Sequence, residues 1–155
     1  MFGQIMIPLD GSERAEQALP YAEYVASASG ATLHLVCVVE RPSAVRAQGV
    51  GAPVNVYEPV IAAQREEATA YLERVRARLE GDGRSVQVEL LDGDEASALL
   101  DYAHAAGIDL VVMTSHGRAG LTRWALGSVA DRVAHGSAVP VLLVPVEARN
   151  GTGRA

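Results

Sequence analysis

Five short apolar runs predict a single domain of the α/β class, an open, doubly wound, five-stranded parallel sheet with helices on both faces. Three observations carry this. The runs are almost continuously apolar rather than alternating, as strands covered on both faces must be. Between them lie segments whose apolar residues recur at three- and four-residue spacing, the period of crossover helices. Turn-forming pairs such as Asp10-Gly11, Asp82-Gly83 and Asp92-Gly93 mark the changes of period. With 155 residues, 49% of them hydrophobic and 21% charged, the chain has enough apolar surface for one core. We read residues 1–147 as the domain and 148–155 as a polar tail.

Phe2 to Leu9 is the first apolar run, closed by Pro8 and Asp10-Gly11, after which Ser12 caps a helix with Glu13 in its first turn. Ala15, Ala18, Leu19, Ala22, Val25 and Ala26 line one face of that helix as far as Gly30, and Pro20 inside it predicts a kink or a break. Thr32 to Val39 is rich in β-branched residues and forms the second strand. Arg41 to Val56 shows no period and is longer than most connections in compact domains. Ala68, Leu72, Val75 and Leu79 mark a helix from Pro59 to Glu80 whose other faces carry a solvated set of charges. Val86 to Leu91 is the third strand. Asp94 caps a helix with Ala96, Leu99, Leu100, Ala103 and Ala106 on its inner face. Ile108 to Met113 is the fourth strand, Val129, Ala130 and Val133 belong to a helix ending near Gly136, and Val139 to Val146 is the fifth strand. Strand order cannot be read from this pattern. In such sheets a ligand lies at the carboxyl ends of the strands, where neighbouring connections diverge. The turns to inspect are thus Asp10 to Ser12, Val38 to Arg41, Asp92 to Asp94 and Thr114 to Ser128.

Composition excludes several classes of function. A formal charge of −6 gives no basic surface for a phosphodiester backbone, so nucleic acid is not an expected partner. All 13 positive side chains are arginine, which removes Schiff-base chemistry and the lysine of P-loop enzymes. Cys37 has no second thiol with which to form a disulfide or a cysteine metal site. No apolar run approaches the ~20 residues of a membrane span, and the amino terminus lacks the pattern of a secretion signal, so a cytoplasmic location is expected.

The segment from Thr114 to Ser128 leaves a buried strand and ends at a helix start. Its glycines allow close approach of a ligand to the backbone, and free amides at a helix start attract anions, so Gly127-Ser128 has the parts of a phosphate cradle. A loop with three glycines and a serine cap accounts for the same residues, and composition alone favours that simpler account. Ser115-His116 lacks the Gly-x-Ser-x-Gly elbow of a hydrolase, and His34, His104 and His135 lack metal-ligand spacing. Asp92-Gly93-Asp94 is explained by a turn followed by a cap. Arg118 and Arg123 flank the cradle and could neutralise phosphates, while Trp124 reads as a packing residue.

From Pro8-Leu9-Asp10-Gly11-Ser12 to Val139-Pro140-Val141-Leu142-Leu143-Val144 the chain resembles the universal stress protein family. Nucleotide-binding members carry Gly, two residues, Gly, nine residues, then Gly and Ser or Thr. Gly117 and Gly127-Ser128 keep that spacing, whereas Thr114 stands where the first glycine belongs. The resemblance implies a Rossmann-like fold that binds ATP, with Mg²⁺ as the expected counterion. It implies Asp10 at the ribose, Val38 against adenine, the backbone of Gly117 at ribose and phosphates, and Gly127, Ser128 and Val129 at the phosphates. Gly11, Ser12, Thr114, Arg118 and Gly120 complete the expected site. A carboxylate suits sugar hydroxyls and repels phosphates, so Asp10 and the Gly127-Ser128 helix start should hold opposite ends of one ligand. The resemblance also implies a homodimer through the strand Val139 to Val146, and a protein partner of unknown identity.

The function expected is an ATP-binding stress or signalling protein with at most slow ATP hydrolysis, since no residue is placed as a general base. One alternative is a dimeric interaction module that no longer binds nucleotide, which Thr114 favours. An ATP-dependent transferase is a further alternative that rests on fold analogy alone.

Overall fold

The computed structural model describes residues 2–40, 58–115 and 126–146. The elements in chain order are β1 (Gln4–Pro8), α1 (Glu13–Glu16), α2 (Leu19–Ser29), β2 (Thr32–Val39), α3 (Glu58–Gly81), β3 (Val86–Asp92), α4 (Glu95–Ala105), β4 (Leu110–Thr114), α5 (Ser128–Gly136) and β5 (Val141–Val144). They build one five-stranded sheet of order β3-β2-β1-β4-β5. All four pairings are parallel, with Met6 beside His34 and Val111, and Thr114 beside Val144. The α/β class and the doubly wound parallel sheet follow as expected from the sequence.

Two apolar clusters separate the faces. On one, α1, α2 and α3 bury Ala15, Leu19, Ala22, Leu72, Val75 and Leu79 against Ile5, Ile7, Leu33 and Leu35. On the other, α4 and α5 bury Ala96, Leu99, Ala130 and Val133 against Met6, Val36, Val111 and Met113. Each central strand sends alternate side chains into each cluster, which is why β1, β2 and β4 read as unbroken apolar runs.

The chain breaks the first helix where the sequence predicts. Gln17 and Ala18 separate α1 from α2, and Pro20 occupies the first turn of α2, where its missing N–H costs no intrahelical bond. The segment closes at Gly30, whose φ of 73° is left-handed. Several strand ends differ from the sequence reading, among them those of β1, which runs Gln4–Pro8 rather than Phe2 to Leu9. The fourth strand begins at Leu110, because Ile108 donates its amide to Ala103 at the end of α4 while its side chain joins the α4 cluster. The last strand shrinks to Val141–Val144, flanked by Pro140 and Pro145, which have no amide to give to a ladder. The Arg41 to Val56 connection and the tail 148–155 lie outside the described residues.

Candidate site at the carboxyl edge of the sheet

The strand order places a switch point between β1 and β4. From β1 the chain passes to the face of α1 and α2, and from β4 to the face of α5. Their connections diverge, the arrangement in which sheets of this class place a ligand at the carboxyl ends of two neighbouring strands. The turns carrying Asp10 and Thr114 therefore come together, with the end of β2 alongside.

On the β1 side, Asp10 follows Leu9, whose amide is held by Val36 at 2.8 Å. The Asp10 carboxylate accepts hydrogen bonds from the Ser12 amide at 2.9 Å and the Ser12 hydroxyl at 2.5 Å. Ser12 in turn accepts from the Ala15 amide at 3.1 Å and caps α1. Gly11 between them has φ 79°, a left-handed turn position that a side chain would strain. This network fixes the carboxylate in the turn that follows β1. Val38 is half-buried near the end of β2, in register with Leu91 of β3.

On the β4 side, Thr114 is buried at the strand end beside Val144. Ser115 donates its amide to the Val144 carbonyl and accepts from the Gly127 amide, both at 2.9 Å. The chain that leaves β4 thus returns to its point of departure at the start of α5. Gly117, Arg118 and Gly120, and with them His116, Arg123 and Trp124, lie outside the described residues.

The start of α5 differs in one respect from the simple account of the loop. Gly127, not Ser128, is the cap residue and brings no side chain to the helix start; Ser128 is the first helical residue. Asp131 is the first amide to find an intrahelical acceptor, the Gly127 carbonyl at 2.8 Å. The amides of Ser128, Val129 and Ala130 have none within the helix, as at every helix start. Ser128 is exposed, and Val129 packs partly against the α4 cluster. Gly127 has φ −61° and ψ 148°, which any residue adopts, so its glycine is not required by the backbone.

Sequence reasoning missed one side chain near this helix start. Arg132, one turn into α5, reaches across to the cap of α4 and forms a two-pronged ion pair with Asp94, at 2.9 and 2.6 Å. A third bond runs to the Ser97 hydroxyl at 3.2 Å. The guanidinium, with help from Ser97, holds the Asp94 carboxyl well below the usual carboxylate range. The available signal was the four-residue step from Ser128 to Arg132, which puts both on one helix face. His34, by contrast, is a buried structural residue, bonded to Gln4 Oε1 at 2.5 Å and to the Tyr102 hydroxyl at 2.9 Å. Burial pushes its pKa down.

Among the described residues no cluster of three His, Cys, Asp or Glu side chains is placed to hold a metal ion. No described helix is long and apolar enough to cross a membrane. A shallow groove lined by Leu100, His104, Ile108, Gly136 and Val139 lies at the amino edge of the sheet, away from the turns of Asp10 and Thr114.

The model of the universal stress protein family matches residues 1–145. Universal stress protein MJ0531 of Methanocaldococcus jannaschii is 31% identical over 144 residues, spanning 93% of this chain and 82% of that protein. Among solved structures, protein MJ0577, a universal stress protein of the same organism, superposes with a TM-score of 0.80 at 27% identity, over 96% of this chain and 99% of that one. A universal stress protein in complex with cAMP shares the fold, with a TM-score of 0.70 at 23% identity over 94% of this chain and 99% of its own. A matched family model that runs from the first strand through the last, on the same doubly wound sheet, establishes that this chain belongs to the universal stress protein family.

Proposed function

We propose that the protein binds ATP at the carboxyl ends of β1 and β4 and acts in stress response or signalling in the cytoplasm. The observation that carries this reading is the start of α5, whose cap residue is a glycine, set across the switch point from the Asp10 turn. The first-turn amides of Ser128, Val129 and Ala130 suit phosphate oxygens, and the Ser128 hydroxyl adds a donor. The Asp10 carboxylate suits ribose hydroxyls, and Val38 offers an apolar edge for adenine. The cAMP complex of a fold neighbour supports the choice of an adenine nucleotide. A magnesium ion would come in with the triphosphate as its counterion.

Binding is better supported than turnover. In this reading ATP serves as a bound signal that is hydrolysed slowly or not at all. Thr114 favours the second reading, a dimeric module without nucleotide, because its side chain occupies the end of β4 where nucleotide-binding members have glycine. For either reading the proposed dimer contact is β5, which lies at the sheet edge and exposes Leu142.

Freshly purified protein, denatured and analysed by mass spectrometry, is expected to release an adenine nucleotide, and stripped protein to give calorimetric heat with Mg-ATP. No nucleotide and no heat would establish the interaction module instead. Asp10→Asn, which keeps a side-chain acceptor for Ser12, is expected to weaken ATP binding about tenfold while leaving inorganic triphosphate unaffected. Equal loss for both ligands would contradict the assignment of Asp10 to the sugar end.

A further inference from the structure

We infer that Arg132 is a specificity residue for the terminal phosphates of the bound nucleotide, held by Asp94 until the ligand competes for it. The inference rests on the nucleotide reading above and names a property of that site, a preference for the triphosphate over the monophosphate.

Arg132 lies four residues after Ser128, so the two share a helix face. Side chains on a helix lean toward its amino terminus, which carries the guanidinium back over the first turn of α5. Its observed partner confirms the height it reaches. Asp94 is the cap residue of α4, so the guanidinium stands level with the α4 start, at the carboxyl edge of the sheet. A planar fork with two parallel N–H donors matches a phosphate as well as it matches a carboxylate.

Asp94 does not need Arg132 for its own task. Its Oδ1 already accepts from the Ser97 amide at 3.1 Å and the Ser97 hydroxyl at 2.8 Å, which completes the helix cap. Both members of the pair are about half exposed, at 51% and 54% of the side chain, so water screens their attraction and exchange of partner is cheap. A triphosphate brings more negative charge than one carboxylate and takes a share of the guanidinium. A monophosphate brings less charge with which to compete for it.

The test is calorimetry with Mg-ATP and with AMP on the full chain, comparing wild type with Arg132→Gln, Asp94→Asn and the double variant. Asparagine caps a helix as well as aspartate, so Asp94→Asn keeps α4 while removing the competing charge. Arg132→Gln is expected to lower ATP affinity about three- to fivefold, the size of an exposed charge interaction, with AMP unchanged. Asp94→Asn is expected to raise ATP affinity by a similar factor, and the double variant to behave as Arg132→Gln. A merely structural clamp would move both ligands together or neither. If wild type binds ATP and the ratio of ATP to AMP affinity is the same in all four proteins, the inference is wrong and the nucleotide site stands. If wild type binds neither ligand, the site reading itself fails and takes the inference with it.

Discussion

Gly127 has a backbone conformation that bears on its proposed role. Its φ of −61° is open to any residue, so the backbone itself does not require glycine there. Gly127→Val should therefore fold normally, and it should lose nucleotide affinity at least about tenfold because the branched side chain screens the first-turn amides. Unchanged affinity would contradict the cradle. His34 makes a prediction of a different kind. Its pKa lies below 6.5 in the folded protein, so the fold favours the neutral ring between Gln4 and Tyr102. The unfolded chain binds the proton first as pH falls, so stability is full above the unfolded pKa and declines below it. The slope from this one group is at most about 1.4 kcal/mol per pH unit. Chemical denaturation at pH 7.5 and 5.5 should show a smaller loss for His34→Gln than for wild type. Equal losses would assign the acid sensitivity to other groups.

At the scale of elements, legibility followed how local each signal is. β2 was read with its observed ends, since Gly30 and the polar residues after Val39 bound it on both sides. The α1–α2 break was legible because Pro20 acts through its own ring. The ends of β4 and β5 were not, because Ile108 and Val139 are apolar for packing against α4 and α5 rather than for pairing. The helix start of α5 was placed within one residue, but that Gly127 rather than Ser128 is its cap residue depends on three-dimensional geometry. In α3 the buried residues are Tyr71, Leu72, Val75 and Leu79, whereas none from Glu58 to Ala70 is buried. Amide exchange should accordingly be faster across the first half of α3 than across Tyr71 to Leu79, by at least about tenfold. Uniform protection along the helix would mean that another part of the molecule covers its first half.

For the whole molecule, the fold class was legible because a sheet covered on both faces leaves a plain mark on composition. Strand order was not, since β1 pairs with β4 across about a hundred residues and no local pattern encodes that choice. The site inherited the same limit. Asp10 and Ser128 could each be named from the sequence, but only the order β3-β2-β1-β4-β5 places their turns at one switch point. The Asp94–Arg132 bridge was invisible for the same reason, as it joins two helices far apart in the chain. At this scale the edge strand β5 makes the remaining prediction. If β5 joins two copies, Leu142→Arg should shift the mass measured by light scattering from twice 16.3 kDa to the single chain, with the circular dichroism of the fold retained. A dimer that survives this change would place the contact elsewhere.

The central claim is that the α5 start and the Asp10 turn hold the two ends of one adenine nucleotide. It is tested most directly by titrating isotope-labelled protein with Mg-ATP and following backbone amide resonances. The account predicts saturable shifts at Ser128, Val129 and Ala130 together with Gly11 and Ser12, all fitting one dissociation constant. Spectra in which those amides stay fixed while ATP reaches millimolar concentration would contradict it.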